Sequence, residues 1–197
     1  MRHTDEQSEL FPPTAILPSG FSYQADFISP RSEGALLDHL TTLPFKEFEF
    51  HGFKGKRRVV WFGWRYDFNG GGLRKTEVGL PAFLAPIRDQ VAAFAHIEPA
   101  DLQQVLVTEY RPGAAIGWHK DRSLFGIVIG LSLLSACRFR LRRKTKAGWE
   151  RAQLTIEPRS VYALRGSARN EWEHSIPAVA ALRYSITFRN VLRTADS

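Results

Sequence analysis

The chain has 197 residues, 44 % of them hydrophobic, enough to bury one core of ordinary domain size. No run approaches the ~18 apolar residues of a membrane span. The polar, acidic stretch from Met1 to Leu10 lacks the basic flank and apolar run of a secretory leader. A single cysteine, Cys137, excludes an internal disulfide and a cysteine-based zinc cluster, and a cytoplasmic protein is the expectation. Lys and Arg number 27 against 20 Asp and Glu, a formal net charge of +7 that favours polyanionic partners.

Residues 1–18 read as an irregular arm, polar and punctuated by Pro12, Pro13 and Pro18. Residues 19–197 read as a single domain. Ser29-Pro30 opens a helix to about Leu43, with Ser29 as cap, Pro30 in the first turn and Pro44 as the stop. From Phe45 to Phe68 aromatic and basic residues interleave around Gly52, Gly55 and Gly63, which predicts short strands or a hairpin with loops. Asn69-Gly70-Gly71-Gly72 is a break, and Leu80 to Ala95 is a second helix with Phe83, Leu84, Ile87, Val91 and Phe94 on one side. After Pro99 the pattern turns to strands, at about Gln104–Tyr110, Ile116–His119, Gly126–Leu134, Arg138–Arg143, Ala152–Glu157, Val161–Arg165, His174–Ile176 and Tyr184–Val191. Short strands at close spacing after two helices predict an α+β chain, a sandwich or barrel with helical support.

His119-Lys120-Asp121 places two ligand types two residues apart, and on extended backbone positions i and i+2 share a face. A later histidine, His174, stands at another strand start in Trp172-Glu173-His174-Ser175-Ile176-Pro177. Two imidazoles and a carboxylate make the facial triad of non-haem Fe(II) oxygenases, although zinc accepts the same ligand types. In Arg183 to Arg189, alternation puts Arg183, Ser185, Thr187 and Arg189 on one face and Tyr184, Ile186 and Phe188 on the other. Two arginines facing the same way suit a dicarboxylate; the plain alternative is a half-exposed strand with a solvated basic face.

These segments, in this order, resemble the AlkB family of Fe(II)/2-oxoglutarate-dependent nucleic-acid dealkylases. Tyr110-Arg111-Pro112-Gly113-Ala114 is similar to the family's tyrosine strand and turn, His119-Lys120-Asp121 to its His-x-Asp, Trp172 to Pro177 to its distal-histidine segment, and Arg183 to Arg189 to its arginine strand. The resemblance is strong from Leu102 to Val191 and weaker from Phe21 to Leu80. It implies a double-stranded β-helix, or jelly-roll barrel, over about 102–191. It implies a base-recognition lid over about 45–80. It implies Fe(II) on His119, Asp121 and His174, with 2-oxoglutarate and O₂ as co-substrates. It also implies that Tyr110, Arg183 and Arg189 hold 2-oxoglutarate, with Thr187 nearby. Thr108 and Ser185 stand where the family carries asparagines and keep a polar group there. Arg65-Tyr66-Asp67-Phe68 resembles the lid segment, so Tyr66 and Phe68 are expected against the base. Ser123 stands where well-known members carry an acidic residue that reads the base.

Lys56, Arg57 and Arg58 are expected to contact phosphates, and Arg138, Arg140 and Arg142 share a strand face that is expected to extend the basic surface. The resulting expectation is oxidative dealkylation of alkylated bases in DNA or RNA by a monomer without membrane contact. Two alternatives stay open: a dioxygenase of the same fold acting on a protein or small molecule, and a non-catalytic metal-binding jelly roll.

Overall fold

The structure, a computed structural model, describes residues 17–50, 53–66 and 72–192. In chain order the elements are β1 (Phe21–Gln24), α1 (Pro30–Leu40), β2 (Lys46–Phe50), β3 (Phe53–Phe62), β4 (Trp64–Tyr66), β5 (Leu73–Lys75), α2 (Ala85–Phe94), β6 (Gln104–Tyr110), β7 (Ile116–His119), β8 (Phe125–Leu133), β9 (Cys137–Thr145), β10 (Gly148–Ile156), β11 (Val161–Leu164), α3 (Gly166–Asn170), β12 (Glu173–Ile176) and β13 (Arg183–Val191). A seven-stranded major sheet runs β1-β11-β8-β13-β6-β3-β2, a four-stranded minor sheet runs β10-β9-β12-β7, and β4 pairs with β5 in a separate ribbon.

The architecture is a jelly roll whose major sheet is covered on both faces. On its outer face, Leu36 and Leu40 of α1 and Ile87 and Val91 of α2 pack with Val105, Val107, Ile129, Leu131, Leu133, Ile186 and Phe188. On its inner face, Tyr110, Val128, Tyr162 and Leu164 meet Phe139, Leu141 and Ile176 of the minor sheet. Strands buried on two faces carry few exposed positions, which is why β13 is buried from Arg183 through Arg189. Gly130 of β8 is required by packing, because a Cβ there would lie 2.3 Å from the Tyr162 ring.

The departures from the sequence reading have local causes. Helix α1 does begin with Ser29 accepting from the Ser32 amide, but it ends at Leu40. Leu43 precedes Pro44, which disfavours helical backbone there, and Leu40 to Leu43 close as a tight turn instead. The second helix opens with a 3-10 turn over Ala82–Leu84 and becomes α-helical at Ala85, with Pro86 in its first turn. Strands β9 and β10 are longer than predicted and form one hairpin that pairs from Cys137–Ile156 to Thr145–Gly148. The 45–80 stretch contributes in two ways: β3 pairs with β6 in the major sheet, and the β4–β5 ribbon stands apart. Strand β1 and the short helix α3 were not foreseen.

Candidate active site

Three elements bring the predicted ligands together. His119 ends β7, Asp121 follows it in the loop, and His174 is directly opposite His119 across the β7–β12 pair. One ligand atom from each of the three lies within 4.8 Å of the others, and no further group of this kind occurs among the described residues. His119 Nδ1 is 2.9 Å from the Gly117 carbonyl; donation there leaves Nε2 as the free ligand nitrogen. His174 stacks against Phe139 with ring centroids 5.3 Å apart, which fixes its plane.

Asp121 is held by Arg189, whose Nη2 lies 2.7 Å from Oδ1. Arg189 Nη1 donates in turn to Gln104 Oε1 at 2.9 Å. Burial opposes ionisation of Asp121, yet Arg189, aided by His174 and His119, keeps its carboxyl well below the usual range. Among the described residues Oδ2 accepts no hydrogen bond. The loop after Asp121 is pinned by Arg169 of α3, whose Nη2 donates to the carbonyls of Arg122 and Phe125 at 2.6 and 2.7 Å.

Above the triad, a pocket is lined by Arg57, Thr108, Tyr110, Ser185, Thr187 and Arg189 together with His119, Asp121 and His174. Alternation along β13 sends Tyr184, Ile186 and Phe188 to the helices and the other four residues inward, so the basic face is not solvated. Arg183 is completely buried. Its Nε donates to Ser132 Oγ at 3.1 Å and its guanidinium lies 5.1 Å from the Tyr110 ring centroid. Its two terminal nitrogens have no partner among the described residues. A buried fork of N–H donors fits a carboxylate, and a buried unpaired carboxylate oxygen between two imidazoles fits a divalent cation. The donor set therefore suits both iron and a 2-oxo dicarboxylic acid.

The basic residues expected on phosphates divide. Lys56 is exposed. Arg58 is not available: its Nε and Nη2 grip Glu109 at 2.7 and 2.8 Å on the helix-facing side of the major sheet. Arg57 faces the other way, into the pocket, where burial lowers its pKa and its hydrogen-bond partner Tyr110 counteracts this. Period-2 alternation along β3 separates the two. Tyr66 is half-buried under Arg122, 4.6 Å from its ring centroid, so the ribbon touches the loop after Asp121. Ser123 is exposed in that loop. Phe68 lies outside the described residues. Arg142 stands on the outer face of the minor sheet, bonded to Glu173 at 2.6 Å, and does not line the pocket. Gln104, Ser132 and Arg169 were missed; the first two sit at inward positions beside predicted residues, whereas nothing local marks Arg169.

Burial pushes His174 down to about 3, with His119 adding to the shift, and burial likewise lowers His119. Both imidazoles are therefore neutral at pH 7, the form that ligates a metal. An unfolded histidine titrates near 6.5, so below that pH the unfolded chain takes up protons that the folded chain refuses. Stability of the metal-free protein is expected to fall with pH below 6.5, by up to about 1.4 kcal/mol per pH unit per histidine. Asp121 contributes the same sign only below its ordinary value of 3.8. Urea unfolding at pH 7, 6 and 5 reads the slope, and a flat profile would contradict neutral buried histidines.

The sequence model described as the 2OG-Fe(II) oxygenase superfamily matches residues 20–189. An uncharacterized protein of Acanthamoeba polyphaga mimivirus, L905, is 30 % identical over 189 residues, covering 89 % of this chain and 86 % of the viral one. An Arabidopsis thaliana protein named alkylated DNA repair protein ALKBH8 homolog is 29 % identical over 145 residues, 62 % of this chain and 42 % of its own. The bovine alpha-ketoglutarate-dependent dioxygenase alkB homolog 7, mitochondrial, is 40 % identical over 91 residues, 45 % of this chain and 40 % of its own. The chain thus spans less than half the length of these last two relatives. The solved structure of OsALKBH1 superposes with a TM-score of 0.70 at 14 % identity, covering 88 % of this chain and 98 % of that one, and shares the fold. No helix among the described residues is long and apolar enough to cross a membrane. With a family match over most of its length and a triad in the matching fold, the chain belongs to the 2OG-Fe(II) oxygenase superfamily as an AlkB-like dioxygenase that uses Fe(II), 2-oxoglutarate and O₂.

Proposed function

We propose that the protein oxidatively dealkylates alkylated bases in nucleic acid. The observation that carries this reading is the pocket above the triad, which combines an inward arginine, Arg57, with a polar wall from β6 and β13. The name of the Arabidopsis relative and the net charge of +7 support the substrate class. In this reading His119, Asp121 and His174 hold Fe(II). Arg183 takes the far carboxylate of 2-oxoglutarate, and Tyr110, Thr108, Ser185, Thr187 and Arg189 line its bed. The bound metal and co-substrates supply oxidation of a C–H bond, with one oxygen atom entering that bond and the other entering succinate as CO₂ leaves. Arg189 keeps Asp121 ionised and oriented. Phe139 and the Gly117 carbonyl hold the two imidazoles in place. Hydroxylation of an N-methyl carbon gives a hemiaminal that releases formaldehyde, and the base must leave its stack to reach the pocket. The buried lone cysteine suits the cytoplasm, and the protein acts there as a monomer in this reading.

A second reading, hydroxylation of a protein or small molecule, gains from the commitment of Arg58 to Glu109, which leaves one cation fewer for phosphates. Mass spectrometry of alkylated DNA and RNA oligonucleotides incubated with enzyme, Fe(II) and 2-oxoglutarate separates the two. The panel includes N1-methyladenine, N3-methylcytosine and etheno-adenine in single strands and duplexes. Loss of the alkyl mass with matching succinate is expected for at least one lesion. Because Ser123 presents no carboxylate to an amine-free ring, etheno-adenine is expected to react at least as well as N1-methyladenine. Succinate release with every oligonucleotide unchanged would assign the enzyme to the second reading.

A further inference from the structure

The outer face of the minor sheet has no role in the chemistry, yet it sets arginines of β9 against Trp118 and Trp149. Alternation along β9 buries Phe139 and Leu141 and turns Arg138, Arg140, Arg142 and Lys144 outward. Across the hairpin, Arg142 pairs with Arg151 and Lys144 with Trp149. The Arg142 guanidinium lies between two indoles, 4.4 Å from the Trp118 ring and 4.5 Å from the Trp149 ring, and Arg140 lies 4.9 Å from Trp118. Five cations thus share a face with one carboxylate, Glu173, which is already bonded to Arg142. Trp149 remains 41 % exposed.

Resting on the nucleic-acid reading, we propose that this face is a landing platform for single-stranded nucleic acid outside the catalytic pocket. Exposed Trp149 offers a base a stacking surface, and Arg138, Arg151 and Lys144 offer phosphates their charge. The Arg142 guanidinium wedged between the two indoles holds the tryptophans in one orientation before any ligand arrives, which reduces the ordering that binding requires. An exposed indole stacks only on a base that is unpaired and splayed out, so a single strand fits this face better than a duplex. The platform also leads to the chemistry. Trp118 and Glu173 point outward from the two strands whose next residues, His119 and His174, point inward, and β7 is the edge of this sheet. A strand crossing from Trp149 to Trp118 therefore arrives at the rim that carries the triad.

The test measures fluorescence anisotropy of a labelled, unmodified oligo-dT and its duplex with oligo-dA against the full chain over a range of salt. Wild type is expected to prefer the single strand. Trp149→Ala is expected to weaken it by roughly 5- to 150-fold, the range of one base–aromatic stack. The exposed pair Arg138→Gln with Arg151→Gln removes two phosphate contacts and is expected to reduce the log–log salt slope by about 1.4; it carries the test if the tryptophan variant does not fold. Dealkylation of a modified oligonucleotide by wild type is scored alongside. Wild type that dealkylates while both variants bind like it overturns the platform alone and leaves this face to a protein partner. Tighter binding of duplex than of single strand also overturns it. Wild type that neither binds nor dealkylates overturns the base-dealkylation reading together with the platform.

Discussion

Arg183→Met is expected to raise the Michaelis constant for 2-oxoglutarate by about 10- to 150-fold, the worth of a charge-assisted pair, while leaving the ligand-free protein no less stable. Arg183 is wholly buried, and among the described residues only its Nε has a hydrogen-bond partner. In the ligand-free state such a cation carries a desolvation penalty that Ser132 and the face of Tyr110 offset only in part. Methionine fills a similar volume without that penalty. Co-substrate binding reverses the balance, because a carboxylate supplies both missing partners at once. Wild type should therefore gain thermal stability with added 2-oxoglutarate and the variant should not. Arg183→Lys keeps the charge but loses the fork, and should also raise the constant. The constant is read from succinate release and the stability from melting with and without co-substrate; an unchanged constant in both variants would remove Arg183 from the site.

Asp121→Ala should abolish succinate formation and weaken iron binding by on the order of 100-fold or more, since even outer-sphere losses at metal sites reach that size. It should also destabilise the fold. Arg189 is 9 % exposed and would be left with Gln104 as its remaining side-chain partner; a buried ion pair broken on one side costs about 3 to 5 kcal/mol. Asp121→Asn separates the two effects. Its amide oxygen can still accept from Arg189, so most of the stability should return, while the missing anion keeps iron binding and turnover low. Calorimetric iron binding and urea unfolding of both variants distinguish ligation from support. Turnover surviving in Asp121→Ala would sink the metal assignment.

The inward face of the site was legible because it is written in period-2 alternation. Arg183, Ser185, Thr187 and Arg189 could be grouped before any coordinates, and the same rule applied to β3 would have separated Arg57 from Arg58. The proposed metal ligands were legible because His119 and Asp121 are local and His174 starts a later strand. Their direct cross-strand pairing was not, since register is a property of two strands and no single stretch encodes it. Arg169 escaped for a related reason: it acts on backbone carbonyls 44 and 47 residues earlier in the chain, contacts that impose no pattern on sequence. The polar extension of the β9–β10 hairpin was hidden because its outward residues are charged and its tip carries no apolar alternation.

The strand order of the major sheet has a consequence for synthesis. Strand β13 lies between β8 and β6, which do not pair with each other. A ribosome completes both of those strands well before it reaches Arg183, so a nascent chain carries two open strand edges that wait for their common neighbour. That neighbour also brings Arg183 and Arg189, two of the guanidiniums proposed for the site. Closure of the sheet and assembly of the pocket are thus a single late event, and chains stopped before Arg183 lack the centre of the sheet and the anchors of the site alike.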